Sequence, residues 1–102
     1  MAIISIIIPL FNKELFVKQT LLSVLNQTFS EFEIIIISDG STDKSVTIIN
    51  DIDDERITLY TTKNKGVSHA RNYGISKANT DLIALLDADD LWEPNHLENL
   101  HT

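Results

Sequence analysis

The fold is decided by the stretch Ile3-Ile4-Ser5-Ile6-Ile7-Ile8, which is apolar at every position except Ser5. Its β-branched side chains favour a strand. Because the hydrophobicity is continuous rather than alternating, we expect both faces of this strand to be buried, as in a parallel sheet. The run ends at Pro9 and has no basic residues before it, so it is too short for a signal peptide or a membrane span.

Three further apolar runs predict three further strands, at Ile34 to Ile37, Ile57 to Tyr60 and Leu82 to Leu86. Helical patterns separate them. Strands that alternate with helices imply right-handed crossovers and a parallel sheet, so the sequence predicts an α/β fold of the doubly wound type.

Four helices are predicted around this sheet. The first carries an apolar stripe at helical spacing, with Asn12 as a possible N-cap and Glu14 in the first turn. A second, shorter helix is expected at Asp43 to Asn50. The third places small residues on one face, which allows close packing on a sheet: Val67, Ala70, Gly74 and Ala78.

The fourth helix is expected to begin near Pro94, a residue that suits the first helical position. Leu97 and Leu100 begin an apolar stripe on it, and the sequence ends at Thr102. We therefore expect these two leucines to lack packing partners, the fold to be truncated, and self-association through the uncovered apolar face to be possible.

The composition excludes several kinds of partner and site. The chain has 102 residues, with 43% hydrophobic and 23% charged residues, which is typical of one globular unit. Eight basic and fifteen acidic residues give a net charge of −7, which disfavours nucleic acids and anionic membranes as partners. The absence of cysteine excludes disulfides and thiolate metal sites, and by default favours a reducing compartment.

Polar groups are expected to meet at one edge of the sheet, because the carboxyl ends of parallel strands lie together. The most informative group is Asp87-Ala88-Asp89-Asp90 after the fourth strand. Three close carboxylates repel one another unless a cation intervenes, so a divalent metal such as Mg²⁺ or Mn²⁺ is one interpretation. A solvated acidic turn that caps the last helix is the other.

Three more side chains on this edge have two interpretations each. Asp39 can accept a hydrogen bond from a nucleobase, and Asp39-Gly40 also suits a turn before the second helix. Phe11 can stack on a base or pack against the first helix. Arg71 can reach a diphosphate or pair with the acidic cluster.

Five sequence blocks occur in an order and spacing that resemble the family 2 glycosyltransferases of the A-type fold. The blocks span nearly the whole chain and are Ser5 to Asn12, Ser23 to Thr28, Asp39 to Asp43, Asn64 to Gly66 with Ala70 to Gly74, and Asp87 to Asp90. The resemblance implies a Rossmann-like parallel sheet with flanking helices, of the nucleotide-diphospho-sugar transferase type. It also implies a nucleotide diphosphate sugar as donor, commonly a UDP sugar, and an inverting reaction.

The resemblance also implies roles for individual residues. Phe11 stands where the family often has a base-stacking Tyr, Asp39 where an Asp binds the base, and Arg71 where an Arg lies near the diphosphate. Asp87 resembles the first Asp of the D-x-D motif, near the ribose and diphosphate. Asp89 resembles the Asp that holds the metal, Mn²⁺ or Mg²⁺. The nucleotide-sugar-binding set is completed by Pro9, Asn12 and Ala88.

Two positions depart from the family pattern. Phe11 lacks the phenol hydroxyl of Tyr, and Ser38 replaces the first Asp of the common D-D-G-S sequence. Both changes weaken a polar role at their positions.

By this resemblance, residues 1–102 form the N-terminal nucleotide-sugar-binding part of a glycosyltransferase domain. The general base and the acceptor-binding part are expected beyond Thr102. The whole enzyme would act on a saccharide or lipid-linked acceptor in saccharide or cell-envelope polysaccharide synthesis, in the cytoplasm or at the inner face of the membrane.

The main alternative is a module that binds a nucleotide sugar without transferring it. A phospho-signalling receiver domain fits the acidic triplet poorly. A sugar nucleotidyltransferase needs a glycine-rich, basic loop after the first strand, and Pro9 to Asn12 is not one.

Overall fold

A computed structural model describes residues 2–101. These residues form four strands and four helices in alternating order. In chain order they are β1 (Ile4–Leu10), α1 (Val17–Leu25), β2 (Phe32–Asp39), α2 (Ser45–Asn50), β3 (Ile57–Thr62), α3 (Val67–Lys77), β4 (Leu82–Leu85) and α4 (His96–His101).

The four strands form one parallel sheet in the order β3-β2-β1-β4. β1 is therefore central, pairing with β2 in the register Ile4↔Phe32 and with β4 in the register Ile4↔Leu82. The α/β fold predicted from the sequence is confirmed. Within residues 2–101, none of the helices is both long and apolar enough to cross a membrane.

Helices cover the sheet on both faces, which explains the continuous hydrophobicity of β1 and β2. Ile6 and Ile8 point to the face that packs with α1, α2 and α4, whereas Ile7 points to the face covered by α3. All three side chains are fully buried. β4 is less protected, because α3 packs on β1 and β2, and Leu82, Ile83 and Leu85 stay 38–51% exposed.

Gly74 allows α3 to lie close to the sheet. A Cβ added at this position would stand 2.5 Å from Cγ2 of Ile7 and 3.3 Å from Cγ1 of Ile37. Both neighbours are fully buried β-branched side chains, which have little freedom to move aside. The small-residue face predicted for this helix is confirmed at Ala70 and Gly74, while Val67 is 52% exposed.

Two helix starts differ from the sequence prediction. The first helix begins at Val17 with Phe16 at the N-cap position, so Asn12 is not its cap. Asn12 instead has φ 50° in the loop after β1. The second helix begins at Ser45 rather than Asp43, because the Asp43 carboxylate accepts a hydrogen bond from the Ser45 N–H at 2.9 Å.

The expectation that Leu97 lacks partners is wrong. Its side chain is fully buried in the core formed with α1, and its backbone N–H donates to Oε1 of Gln27 at 2.9 Å. Leu100 does remain 61% exposed. The fourth helix begins at His96, two residues after Pro94.

Pro9 sits in the central strand without losing a ladder hydrogen bond. The Leu86 N–H donates a hydrogen bond to the carbonyl of Ile7, so the backbone N–H and C=O of Ile7 face β4. Because a strand repeats every two residues, the backbone groups of Pro9 face the same side. The register with β4 ends at Ile7↔Leu85, so no strand stands opposite Pro9 there. β1 and β4 separate beyond this point, and a cleft opens between their ends.

Candidate functional site

The cleft at the carboxyl edge of the sheet has a volume of about 270 Å³. It is formed by the loops after β1, β2 and β4 and by the first turns of α3. Its lining residues are Pro9, Leu10, Phe11, Lys13, Asp39, Val67, Ala70, Arg71, Asp87, Ala88 and Asp89. Seven of the eight residues predicted from the sequence as ligand or metal contacts are in this set, and the eighth is Asn12.

Two ion pairs occupy the charged part of the cleft. Nη2 of Arg71 lies 3.0 Å from Oδ1 of Asp87, as one of the two sequence interpretations of Arg71 proposed. Nζ of Lys13 lies 3.4 Å from Oδ2 of Asp89. Each carboxylate of the D-x-D triplet therefore faces one cation, supplied by α3 in one case and by the loop after β1 in the other.

Arg71 also carries a buried donor. Its Nε has no hydrogen-bond partner among the described residues. An unsatisfied buried donor costs about 1–3 kcal/mol.

Asp39 is 4% exposed and ties the end of β2 to the loop after β3. Its Oδ1 accepts hydrogen bonds from the Thr62 hydroxyl and the Lys65 N–H, and its Oδ2 accepts one from the Gly66 N–H at 2.8 Å. Burial alone would raise the pKa of Asp39, but these hydrogen bonds and nearby His69 outweigh it and hold the pKa below its ordinary value of 3.8. The carboxylate stays ionised, and Oδ2 keeps a lone pair for a ligand.

Asn12 does not line the cleft. It joins the loop after β1 to the loop after β2. Its Oδ1 accepts hydrogen bonds from the N–H groups of Thr42 and Asp43, and its own N–H donates to Oγ of Ser41 at 3.2 Å. The side-chain oxygen is thus already engaged within the protein. This arrangement fits a residue that positions the wall of the cleft.

The loop that carries Asp87 and Asp89 is held from behind by α1 and by the residues that follow this helix. The Thr20 hydroxyl donates to the carbonyl of Ala88 at 2.9 Å, and Nε2 of Gln27 donates to the carbonyl of Glu93 at 2.6 Å. Both side chains are buried. The sequence analysis missed Thr20, while Gln27 was included only as part of a resemblance block.

Lys13 was also missed as a site residue. The available signal was its position, because it directly follows Phe11-Asn12 in the loop after β1. Lysine is so often a solvated surface residue that this position alone did not distinguish it.

The donor set suits a divalent cation that a ligand helps to bind. Within residues 2–101, no three or more Asp, Glu, His or Cys side chains group into a cage for a metal ion. Mg²⁺ and Mn²⁺ in phosphate sites often take only one or two protein carboxylates, with phosphates and water completing the shell. The side chains of Asp87 and Asp89 are 52% and 44% exposed, so they can serve in this way.

Comparison with known proteins identifies the family. The sequence matches the family described as Glycosyl transferase family 2 over residues 5–101. The chain belongs to this family. Its relatives include an uncharacterized glycosyltransferase of Haemophilus influenzae, 48% identical over 101 residues, which cover 96% of this chain and 40% of that protein.

Two solved structures share the fold. S. aureus TarS 1–349 in complex with UDP-GlcNAc superposes with a TM-score of 0.91 at 25% identity, covering 97% of this chain and 30% of TarS. A mannosyltransferase of Pyrobaculum calidifontis in complex with GDP-Man and Mn²⁺ gives a TM-score of 0.80 at 23% identity, covering 87% and 28%. This family 2 chain therefore spans less than half the length of these proteins.

Proposed function

We propose that the cleft binds the nucleoside diphosphate part of a sugar donor, and that the chain is the donor-binding part of a glycosyltransferase that acts on a hydroxyl acceptor with inversion. The observation that carries the proposal is the meeting of three kinds of group in one cleft. An exposed aromatic ring, Phe11, stands beside the carboxylate of Asp39 and the paired charges around Asp87 and Asp89.

Each group suits one part of such a ligand. Phe11 is 45% exposed and offers a face for a base to stack on. Oδ2 of Asp39 can accept a hydrogen bond from a base N–H. The guanidinium of Arg71, which lines the cleft, can meet a phosphate or base oxygen.

UDP is the nucleotide that we propose, supported by the likeness to TarS, whose structure contains UDP-GlcNAc. In the proposed complex, Asp89 would hold Mn²⁺ or Mg²⁺ with Asp87 close by, and Pro9 and Ala88 would border the ligand. Such a cation would neutralise charge on the leaving nucleoside diphosphate.

Sugar transfer also needs an acceptor site and a base that removes the proton of the attacking hydroxyl. Because the chain spans 40% of the Haemophilus relative, we propose that these groups belong to the part of the relatives that it does not cover. A saccharide or a lipid-linked saccharide is the acceptor class that we propose, for an enzyme acting in the cytoplasm.

Calorimetric titration tests the donor site directly. The purified chain would be titrated with UDP, GDP and ADP, each with and without Mn²⁺. We expect UDP to bind best and Mn²⁺ to strengthen its binding. Equal, metal-independent affinities for all three nucleotides, or no binding, would refute the proposal.

A binding module without transfer activity is the alternative function. A binding module predicts the same nucleotide affinities as a transferase, so an activity measurement has to distinguish the two functions. The Haemophilus relative, with its matching segment replaced by this chain, would be incubated with UDP sugars, Mn²⁺ and an acceptor mixture. Acceptor-dependent release of UDP supports the transferase, and its absence supports the binding module.

A further inference from the structure

We propose that Lys13 is a ligand-binding residue that exchanges partners, pairing with Asp89 before ligands bind and with the donor diphosphate once Asp89 holds a divalent cation. This inference rests on the proposed function, because it concerns the same cleft. It adds a residue that competes for the metal position and contributes to phosphate binding.

The contact between Lys13 and Asp89 is the first observation. Nζ of Lys13 stands 3.4 Å from Oδ2 of Asp89, longer than the 2.7–2.9 Å of a tight charge-assisted hydrogen bond. The two side chains are 39% and 44% exposed. Exposed pairs of this kind are weak, so the partners can separate when a better one arrives.

The backbone of Lys13, in contrast, is held in place. Its N–H donates to Oγ of Ser45 at 3.0 Å, and Ser45 is fully buried. Its carbonyl accepts hydrogen bonds from the N–H groups of Phe16 and Val17, each at 2.9 Å. A fixed backbone with a flexible four-carbon stem lets the ammonium group move over several ångströms while its base stays at the cleft.

The charge of the cleft favours such an exchange. The lining residues include three carboxylates, of Asp39, Asp87 and Asp89, and two cations, of Lys13 and Arg71, so the lining has a net charge of −1. A diphosphate entering this cleft meets cations that are already paired. If a divalent ion takes over Asp89, the lining and the ion together carry a net charge of +1, and the ammonium of Lys13 becomes free for a phosphate oxygen.

Lys13 suits this exchange better than Arg71 does. An ammonium is a compact charge whose three donors rotate freely, whereas a guanidinium is a rigid fork. The fork of Arg71 is oriented by its bond to Asp87 and has its Nε buried. Arg71 therefore fits a fixed contact and Lys13 a movable one.

The test measures Mn²⁺ binding to the 102-residue chain without any nucleotide, by the loss of the free Mn²⁺ paramagnetic resonance signal. Lys13→Met removes the competitor, so we expect its Mn²⁺ affinity to rise about two- to five-fold, as loss of a weak exposed pair implies. Lys18→Met, which removes an exposed lysine from α1, is the control and should bind Mn²⁺ with the affinity of the parent. Adding Asp89→Asn to both the parent and Lys13→Met should abolish the difference between them.

The second arm measures UDP affinity at saturating Mn²⁺. Here Lys13→Met should bind UDP about five-fold or more weakly, whereas Lys13→Arg keeps the charge and should retain most of the affinity. Opposite changes for Mn²⁺ and UDP are the signature of partner exchange. Affinities that do not move in Lys13→Met, or that move in the same direction for both ligands, would overturn the inference.

The two proposals fail in different ways. A parent chain that binds Mn²⁺ but no nucleoside diphosphate refutes the proposed function and, with it, the phosphate half of the exchange. A parent chain that binds UDP while Lys13→Met equals it in both arms refutes the role of Lys13 and leaves the proposed function standing.

Discussion

Asn12 and Thr42 are 30 residues apart in the sequence, and a 2.8 Å hydrogen bond joins Oδ1 of Asn12 to the Thr42 N–H. This bond connects the loop after β1 to the loop after β2. Asn12 stands between Phe11 and Lys13, both of which line the cleft. The position of two lining residues therefore depends on a side chain that does not itself face the cleft.

Removing the side chain of Asn12 should loosen this connection. Asn12→Gly keeps a residue that tolerates φ 50° and deletes the acceptor for two N–H groups. We expect the free energy of unfolding to fall by about 1 kcal/mol and amide hydrogen exchange at Thr42 and Asp43 to accelerate. Asn12→Asp retains the acceptor, so the amide hydrogens of Thr42 and Asp43 should exchange as slowly in this variant as in the parent. Protection at Thr42 that survives in Asn12→Gly would contradict this role.

Gly74→Ala should destabilise the chain, although alanine is the better helix former by about 1 kcal/mol. The new methyl would stand 2.5 Å from Cγ2 of Ile7, and overpacking of this kind typically costs about 1–3 kcal/mol. Ser68→Ala, at an exposed position of the same helix, is the control and should be neutral or slightly stabilising. Urea unfolding measures the free energy of unfolding of both variants. A Gly74→Ala chain as stable as Ser68→Ala would show that α3 shifts without penalty.

Asp89→Asn should weaken UDP binding in the presence of Mn²⁺ by ten-fold or more and leave the fold intact, because an exposed carboxylate at the cleft serves the ligand rather than the core. Asp90→Asn changes the neighbouring exposed carboxylate, which does not line the cleft, and should bind like the parent. Calorimetry with and without Mn²⁺ gives the affinities, and circular dichroism checks the fold. Equal losses in the two variants would argue against a specific role for Asp89.

Thr62→Val should reduce stability more at pH 7 than at pH 3. Burial raises the pKa of Asp39, but its hydrogen bonds lower the pKa by more, so the pKa lies below 3.8 in the folded chain. Stability from this depressed pKa is present above about pH 3.8 and is lost as the pH falls through the folded value. Thr62→Val removes one of these bonds, so its deficit of about 1 kcal/mol at neutral pH should shrink in acid.

Urea unfolding at pH 7, 5 and 3 measures this dependence. Thr61→Val, an exposed neighbour on β3, controls for the change from threonine to valine in a strand. Because Glu33, Asp43 and Asp54 also have lowered pKa values, every chain should lose stability in acid, and only the difference from the parent is informative. A deficit of Thr62→Val that does not change with pH would separate Thr62 from the ionisation of Asp39.

The strands and the sheet edge could be predicted from the sequence because they depend on local patterns. Continuous runs such as Ile34 to Ile37 identify strands buried on both faces, and a parallel sheet brings its carboxyl ends together whatever the loops do. The sequence therefore predicts that Asp39 and Asp87 lie at one cleft. The residue roles drawn from the family resemblance remain proposals for binding experiments.

The loops could not be predicted in the same way, because their contacts are made between segments far apart in the sequence. Asn12 has the residue type of a helix N-cap, but its partners Thr42 and Asp43 lie on another loop. The burial of Leu97 likewise depends on Gln27 and the core beside α1. Local propensity cannot report such pairings.

The central place of β1 determines the order in which the sheet can form during synthesis. The β2 side of β1 can pair once residue 39 is available, but its β4 side has no partner until residue 85. The interval of 46 residues takes roughly 2–9 s at 5–20 residues per second. During that time an isoleucine-rich strand edge is open on the nascent chain, so the period in which this edge can pair wrongly comes on the ribosome, before β4 arrives.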